Sequence, residues 1–69
     1  WVRGNYPKAL ELFNRSLLLY EESKDLANAA ACLNNIGTIF RSQGDNLKGL
    51  KYFLSSLKIR EDLNDKEDF

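Results

Sequence analysis

The chain has 69 residues, one cysteine, no histidine, and 10 basic against 10 acidic residues, so its formal net charge is zero. A chain this short forms one domain at most, and alone it buries only about 60% of its unfolded surface. The balanced charge removes the electrostatic basis for binding nucleic acid or an anionic membrane, and no apolar run is long enough to span a bilayer.

The first predicted element is a helix over residues 6–23. Asn5 can cap it, and Pro7 lies in the first turn, where its missing N–H costs nothing. One face carries apolar side chains at helical spacing, namely Leu10, Phe13 and Leu17. Another face carries Leu12 and Leu19.

The second predicted helix covers residues 26–42, with Asp25 as its N-cap. One side is mainly apolar and consists of Leu26, Ala30, Leu33, Ile36, Gly37 and Phe40. The opposite side, here called the polar stripe, consists of Ala31, Asn34, Asn35, Thr38, Arg41 and Ser42. At about 100° per residue, each set falls within about a third of a turn. The helix is therefore predicted to bury one side and expose the other.

The third predicted helix covers residues 46–63, after a turn in which Gly44 ends the second helix and Asp45 caps the third. Its main apolar stripe consists of Leu47, Leu50, Phe53, Leu54 and Leu57. A second stripe consists of Tyr52, Ile59 and Leu63. Two apolar faces predict neighbours on two sides. No segment alternates at strand spacing, so the predicted fold is all-α.

An internal repeat relates the first helix to the third. An offset of 40 residues places residues 4–10 over residues 44–50. The register continues through Phe13 over Phe53, Ser16-Leu17 over Ser56-Leu57, Glu21 over Glu61 and Asp25 over Asp65. We therefore expect a piece of a longer array, with a further helix starting near Lys66. Its predicted parts are the end of one repeat (1–23), one complete repeat (26–63) and the start of a next repeat (64–69).

These features resemble the tetratricopeptide repeat (TPR) family. In the complete repeat, the positions characteristic of the family correspond to Leu33, Ile36, Gly37, Phe40, Gly44, Asp45, Leu50, Phe53 and Leu57. In the partial repeat, they correspond to Gly4, Tyr6, Ala9, Phe13 and Leu17. The long period and the run Leu33-Asn34-Asn35 resemble the repeats of kinesin light chains and of bacterial signalling proteins. The resemblance implies antiparallel helix hairpins in a right-handed α-solenoid, with Gly37 allowing close helix approach and Phe13 and Phe53 lying between adjacent repeats.

The sequence also departs from the family pattern. Leu33 stands for the usual Trp, Asn46 for Tyr, Gly49 and Ser56 for Ala, and Glu61 for the Pro that normally ends the second helix of a repeat. The missing Pro and the 40-residue period belong together, because without Pro that helix can run longer.

The resemblance implies that the polar stripe lines a concave groove that binds a peptide or protein partner. Asn side chains donate and accept hydrogen bonds together, so Asn34 and Asn35 can hold a peptide backbone without reading its sequence. Arg41 can pair with a carboxylate of the ligand. A carboxylate clamp needs further cations from flanking repeats, and the sequence leaves it open.

The sequence predicts no catalytic, cofactor or metal site. Without histidine, Ser-His-Asp, Cys-His and His-metal arrangements are excluded. The pairs Glu21-Glu22 and Glu61-Asp62 fall at helix ends, where solvation is the simpler interpretation. Cys32 follows three alanines and is interpreted as a small packed residue rather than a nucleophile. A lone cysteine also favours a reducing, cytoplasmic setting.

Three functions stay open at this point. The first is a protein–protein interaction scaffold. The second is a regulatory or sensory segment of a signalling protein, such as a kinase or transcription regulator. The third is self-association through the apolar face of the last helix, where Leu50, Phe53, Leu54 and Leu57 are predicted to be partly exposed. An enzyme with its own active site is disfavoured.

Overall fold

The computed structural model describes residues 6–67, with side chains given for residues 6–64. Its three helices are α1 (Tyr6–Glu22), α2 (Leu26–Ser42) and α3 (Asn46–Glu67). The described residues contain no strand, in agreement with the predicted all-α fold. The roles predicted for Gly4 and Asn5 fall outside the described residues.

The two turns are built alike. Asp25 Oδ1 accepts a hydrogen bond from the Asn28 backbone N–H at 3.4 Å, and Asp45 Oδ1 accepts one from the Lys48 N–H at 3.2 Å. In each turn the backbone N–H of the aspartate also donates to the carbonyl five residues earlier, at 2.8 and 2.9 Å. Both predicted N-caps are confirmed, and Gly44 has the left-handed φ of 87° that its position in the turn requires.

α3 is longer than predicted. It continues through Asn64 and Asp65 to Glu67, whereas the sequence pattern ended it at residue 63 and started a further helix near Lys66. Each residue that extends a helix adds one backbone hydrogen bond, and a turn at residues 64 and 65 would lose those bonds. Asn64 and Asp65 each disfavour a helix by only about 0.7 kcal/mol relative to Ala. Within the described residues, no later element packs on this end of α3 in a way that would stabilise a turn. That helix boundary was therefore wrong.

α2 is the central helix. It packs against α1 on one side and α3 on the other, whereas α1 and α3 do not pack on each other in the described part of the chain. α2 buries Ala29, Ala30, Cys32, Leu33, Ile36, Gly37 and Ile39, while α1 buries no residue fully. Burial extends beyond the predicted apolar side to Cys32, which was predicted to be packed, and to Ile39, which was not.

The backbones of α2 and α3 touch where two glycines face each other. A Cβ added to Gly37 would lie 2.9 Å from the carbonyl oxygen of Gly49, and a Cβ added to Gly49 would lie 3.0 Å from the carbonyl oxygen of Gly37. The Phe53 ring lies 3.0 Å from the same Gly37 Cβ position, so it packs within the hairpin. Farther along, the buried Ser56 hydroxyl donates to the Ala30 carbonyl at 2.8 Å. Small residues thus set the helix separation.

This close contact decides which face of α3 is buried. The side toward α2 carries Gly49, Tyr52, Phe53, Ser56, Ile59 and Leu63, all buried or half-buried. The predicted main stripe lies mostly outside: Leu47, Leu50, Leu54 and Leu57 are 83%, 53%, 55% and 51% exposed. At the closest approach to α2 this face carries the small residues Gly49 and Ser56, because larger side chains there would hold the two helices apart.

Gly37→Ala tests this contact. The added methyl meets the Gly49 carbonyl at less than van der Waals distance, so the helices must separate. We expect a loss of about 1–3 kcal/mol in the free energy of unfolding, although Ala is the better helix former by about 1 kcal/mol. Urea unfolding followed by circular dichroism measures it. As a control, Lys51→Ala at an exposed position of α3 should change the free energy of unfolding by about 0.5 kcal/mol or less. A Gly37→Ala variant as stable as the native chain would contradict the contact.

Candidate functional site

The polar stripe lies on the side of α2 that neither α1 nor α3 covers. Asn34, Arg41 and Ser42 are exposed, and Ala31, Asn35 and Thr38 are half-buried. Because the buried residues of α2 occupy the remaining arc of the helix, the stripe is the open face of the central helix.

The two edges of the stripe border different neighbours. Arg41 stands at the α3 edge, since a Cβ on Gly49 would lie 3.4 Å from the Arg41 Cβ. Asn35 stands at the other edge, one helical turn from the buried Cys32 and Ile39. Those two residues lie on the other side of α2 from the α3 contacts of Gly37 and Ala30, and α1 is the other described helix that packs on α2. The stripe therefore spans the gap between α1 and α3.

Several polar groups of the stripe have free hydrogen-bonding capacity. The side-chain amides of Asn34 and Asn35 make no hydrogen bond to another described residue, and each offers two donor hydrogens and an acceptor oxygen. Thr38 Oγ1 donates to the Asn34 backbone carbonyl at 3.0 Å, which leaves the hydroxyl oxygen as an acceptor. Arg41 pairs with no carboxylate in the described part of the chain. The face can thus exchange hydrogen bonds with a ligand's backbone.

A cluster of aromatic and charged side chains closes the turn end of the α2–α3 hairpin. The Phe40 and Tyr52 rings stack at 5.4 Å between centroids. Lys48 Nζ lies 5.3 Å from the Phe40 ring centroid and 3.9 Å from Asp45 Oδ2. The sequence analysis placed Phe40 and Tyr52 on apolar faces but did not pair them. Phe40 lies four residues before Gly44 and Tyr52 lies eight residues after it, so distance from the turn did not indicate the pairing.

Cys32 is buried against its neighbours and makes no disulfide. Burial raises the pKa of its thiol, because the thiolate is poorly solvated there. The group stays protonated at neutral pH and is a poor nucleophile. This position confirms the interpretation of Cys32 as a packed residue.

The described residues show no group of three or more side chains able to hold a metal ion, and they enclose no cavity. None of their helices is both long and apolar enough to cross a membrane. The open face of α2 is a single helix surface, and a concave groove needs further helices beside it.

Comparison with known proteins identifies the fold. A family model described as tetratricopeptide repeat matches residues 1–62. The chain belongs to the tetratricopeptide repeat family. Photosystem I assembly protein Ycf3 of Acaryochloris marina (strain MBIC 11017) is 39% identical over 62 residues, which cover 90% of this chain and 36% of that protein. The chain thus spans about a third of that relative's length. No solved structure gives a significant match.

Family membership confirms the resemblance found in the sequence and indicates a role in protein–protein interaction. It also accounts for the small residues at the α2–α3 contact, since TPR hairpins are built on close helix approach. The likeness to the long-period repeats of kinesin light chains and bacterial signalling proteins stays a prediction.

The burial of Cys32 predicts slow thiol chemistry. In native buffer at pH 7, we expect iodoacetamide to modify Cys32 at least about tenfold more slowly than in 6 M guanidinium chloride. The reason is that the thiol is both shielded and held protonated. Mass spectrometry of quenched samples gives the two rates. Equal rates would contradict the burial of this side chain.

Proposed function

We propose that the open face of α2 binds an extended segment of a protein partner, as one part of a concave groove that neighbouring repeats complete. The observation that carries this proposal is the pair of Asn34 and Asn35 amides, which lie on an uncovered face without partners among the described residues. An extended segment presents backbone N–H and C=O groups at regular spacing, and an amide side chain matches both.

The proposed contribution of this one repeat is modest. A neutral hydrogen bond adds about 1 kcal/mol net, and one to a charged group about 1.5–3 kcal/mol. Asn34 and Asn35 would therefore fix the position of the segment, and Arg41 would add a preference for a carboxylate. Useful affinity needs several repeats acting on one ligand. This argues for a scaffold rather than a catalyst, because none of the described residues places a catalytic acid, base or nucleophile on this face.

The similar protein Ycf3 is by its name an assembly protein of photosystem I. We infer a scaffolding role of the same general kind for this chain, in which it holds a partner during assembly of a larger complex. The chain corresponds to 36% of that relative, so this role belongs to the proposal. We also propose a reducing, cytoplasmic location for the chain. A further part of the proposal is that the chain consists of the end of one repeat, one complete repeat and the start of another.

Self-association is a second candidate, and one observation favours it. Leu47, Leu50, Leu54 and Leu57 leave an apolar strip of α3 uncovered by any described residue. Such strips promote pairing as the concentration rises. The regulatory or sensory role in a signalling protein stays a prediction, which the sequence on either side of this chain would decide.

A peptide-display selection tests the groove proposal. Random peptides are selected on the chain, and the affinities of the recovered peptides are measured by isothermal titration calorimetry. We expect the double variant Asn35→Ala, Arg41→Ala to bind at least about tenfold more weakly, because it loses an amide and a charged hydrogen bond. The variant should keep native stability, since neither side chain has a bond to another described residue.

Lys58→Ala is the matched control, since it removes an exposed cation from α3 rather than α2. It should leave affinity within about twofold of the native value. If the double variant binds every selected peptide as tightly as the native chain does, the open face of α2 is not the ligand site.

A further inference from the structure

A row of lysines follows the outer side of α3. Lys48, Lys51 and Lys58 are all exposed, and at about 100° per residue they lie within about 80° of one another around the helix axis. Ser55 lies on the same arc. Its hydroxyl donates to the Lys51 backbone carbonyl at 3.1 Å, which leaves its oxygen as an acceptor. We call Lys48, Lys51, Ser55 and Lys58 the lysine arc.

The lysine arc is separate from both packing sides of α3. The inward side, with Gly49, faces α2, and the exposed leucines occupy the side on which the next repeat of the array is expected to stack. At the 40-residue offset, the corresponding residues of α1 are Lys8, Glu11, Arg15 and Leu18. All four stay exposed although α2 packs on α1. This arc therefore stays open to solvent when a following helix is in place.

The same comparison shows that the fold does not require lysines on this arc. The packing sides of α1 and α3 share a phenylalanine, a serine and two leucines at corresponding positions. On the arc, by contrast, Glu11 corresponds to Lys51, and Leu18 corresponds to Lys58. An acidic and an apolar residue are thus accepted where α3 has two cations. The positive charge is particular to α3 and is not needed for its packing.

The lysines also do not stabilise α3 by themselves. Lys48 and Lys51 are three residues apart, so their like charges repel on one face. Lys48 lies in the first turn, at the positive end of the helix macrodipole, and Asp45 Oδ2 compensates it at 3.9 Å from its Nζ. Lys51 and Lys58 form no ion pair with another described residue. Two uncompensated ammonium groups are therefore available to a partner.

Carboxylates lie at both ends of the lysine arc. Asp45 lies at the turn end, and the exposed Asp62 lies about one helical turn beyond Lys58. The helix rises about 15 Å from Lys48 to Lys58, which is the length of about five residues of extended chain. A longer polyanion that follows the arc would be repelled by one of these carboxylates. A short acidic segment fits between them.

We propose that the lysine arc binds a short acidic segment of a partner protein, about five residues long, with carboxylates facing Lys51 and Lys58. Charge complementarity is what selects this occupant. Exposed ion pairs are individually weak, so the arc steers and orients a partner rather than holding it alone. The site lies on α3 and is separate from the polar stripe of α2, so it does not rest on the groove proposal.

The probe is an acetylated and amidated peptide of consecutive glutamates of this length, titrated into the isotope-labelled full chain. Chemical shifts of the backbone amides are followed at low ionic strength, where exposed charges are screened least. We expect saturable shifts centred on residues 48–58. The chain variant Lys51→Glu, Lys58→Glu should bind at least about fivefold more weakly, because attraction becomes repulsion at two positions. The same peptide with glutamine for glutamate should not bind.

Two matched variants separate this site from others. Lys24→Glu, Arg60→Glu changes the net charge by the same amount at exposed positions outside the lysine arc, and it should bind the peptide within about twofold of the native chain. Asn35→Ala, Arg41→Ala removes the groove contacts and should also bind within about twofold. Circular dichroism should show an unchanged fold for all three variants, since the substituted side chains are not in the buried core.

The other outcomes would overturn the proposal. These are the absence of saturable shifts, equal binding by the Lys51→Glu, Lys58→Glu variant, and equal losses in both charge-reversal variants, which would show a general effect of net charge. A loss confined to the groove variant would move the peptide to the open face of α2.

Nucleic acid and lipid are tested in parallel with a DNA duplex and with vesicles of equal parts phosphatidylcholine and phosphatidylserine. We expect both to bind more weakly than the glutamate peptide, because Asp45 and Asp62 repel an extended polyanion. If either binds more tightly, and Lys51→Glu, Lys58→Glu abolishes that binding, the lysine arc recognises phosphate groups and the proposal is wrong.

Discussion

The contact between the Gly37 and Gly49 backbones sets the geometry of the molecule. Neither position has room for a side chain, since each Cβ would meet the opposite carbonyl oxygen at 2.9 or 3.0 Å. With the two helices this close, Phe53 reaches Gly37 and the Ser56 hydroxyl reaches the Ala30 carbonyl within one hairpin. The separation of α2 and α3 thus depends on the smallest residues rather than on the most hydrophobic ones.

Two surfaces follow from that geometry. Because α3 turns the side with Gly49 and Ser56 toward α2, Leu47, Leu50, Leu54 and Leu57 face outward and form an apolar strip. Because α2 is covered from both sides, only its polar stripe stays open, with Asn34 and Asn35 unpaired among the described residues. Membership of the TPR family indicates a role in protein–protein interaction, and the polar stripe is where we propose that an extended partner segment binds.

Local signals predicted much of this structure, and long-range packing explains what they missed. Asp25, Gly44 and Asp45 act within a few residues of their own position, so the turns and caps could be predicted directly. The inward face of α3 was predicted only in part. Its members Tyr52, Ile59 and Leu63 form the predicted second stripe, but hydrophobic periodicity ranks Leu50 and Leu57 above the packed Gly49 and Ser56. Of the polar stripe, Asn34, Arg41 and Ser42 are exposed, and Ala31, Asn35 and Thr38 are half-buried; its role in binding stays a prediction. How much of the α2 circumference stays exposed could not be predicted. It depends on α1, which also packs on α2, although no residue of α1 is fully buried.

The packing of α3 on α2 depends on contact between the two glycine backbones. Nuclear Overhauser spectroscopy of the isotope-labelled chain tests it most directly, through the α-protons of Gly37 and Gly49. We predict cross-peaks between these protons, accompanied by cross-peaks from the Phe53 ring to Gly37. Strong peaks from Gly37 to Leu50 or Leu57 in their place would mean that α3 packs with its leucines inward, and that result would contradict the account.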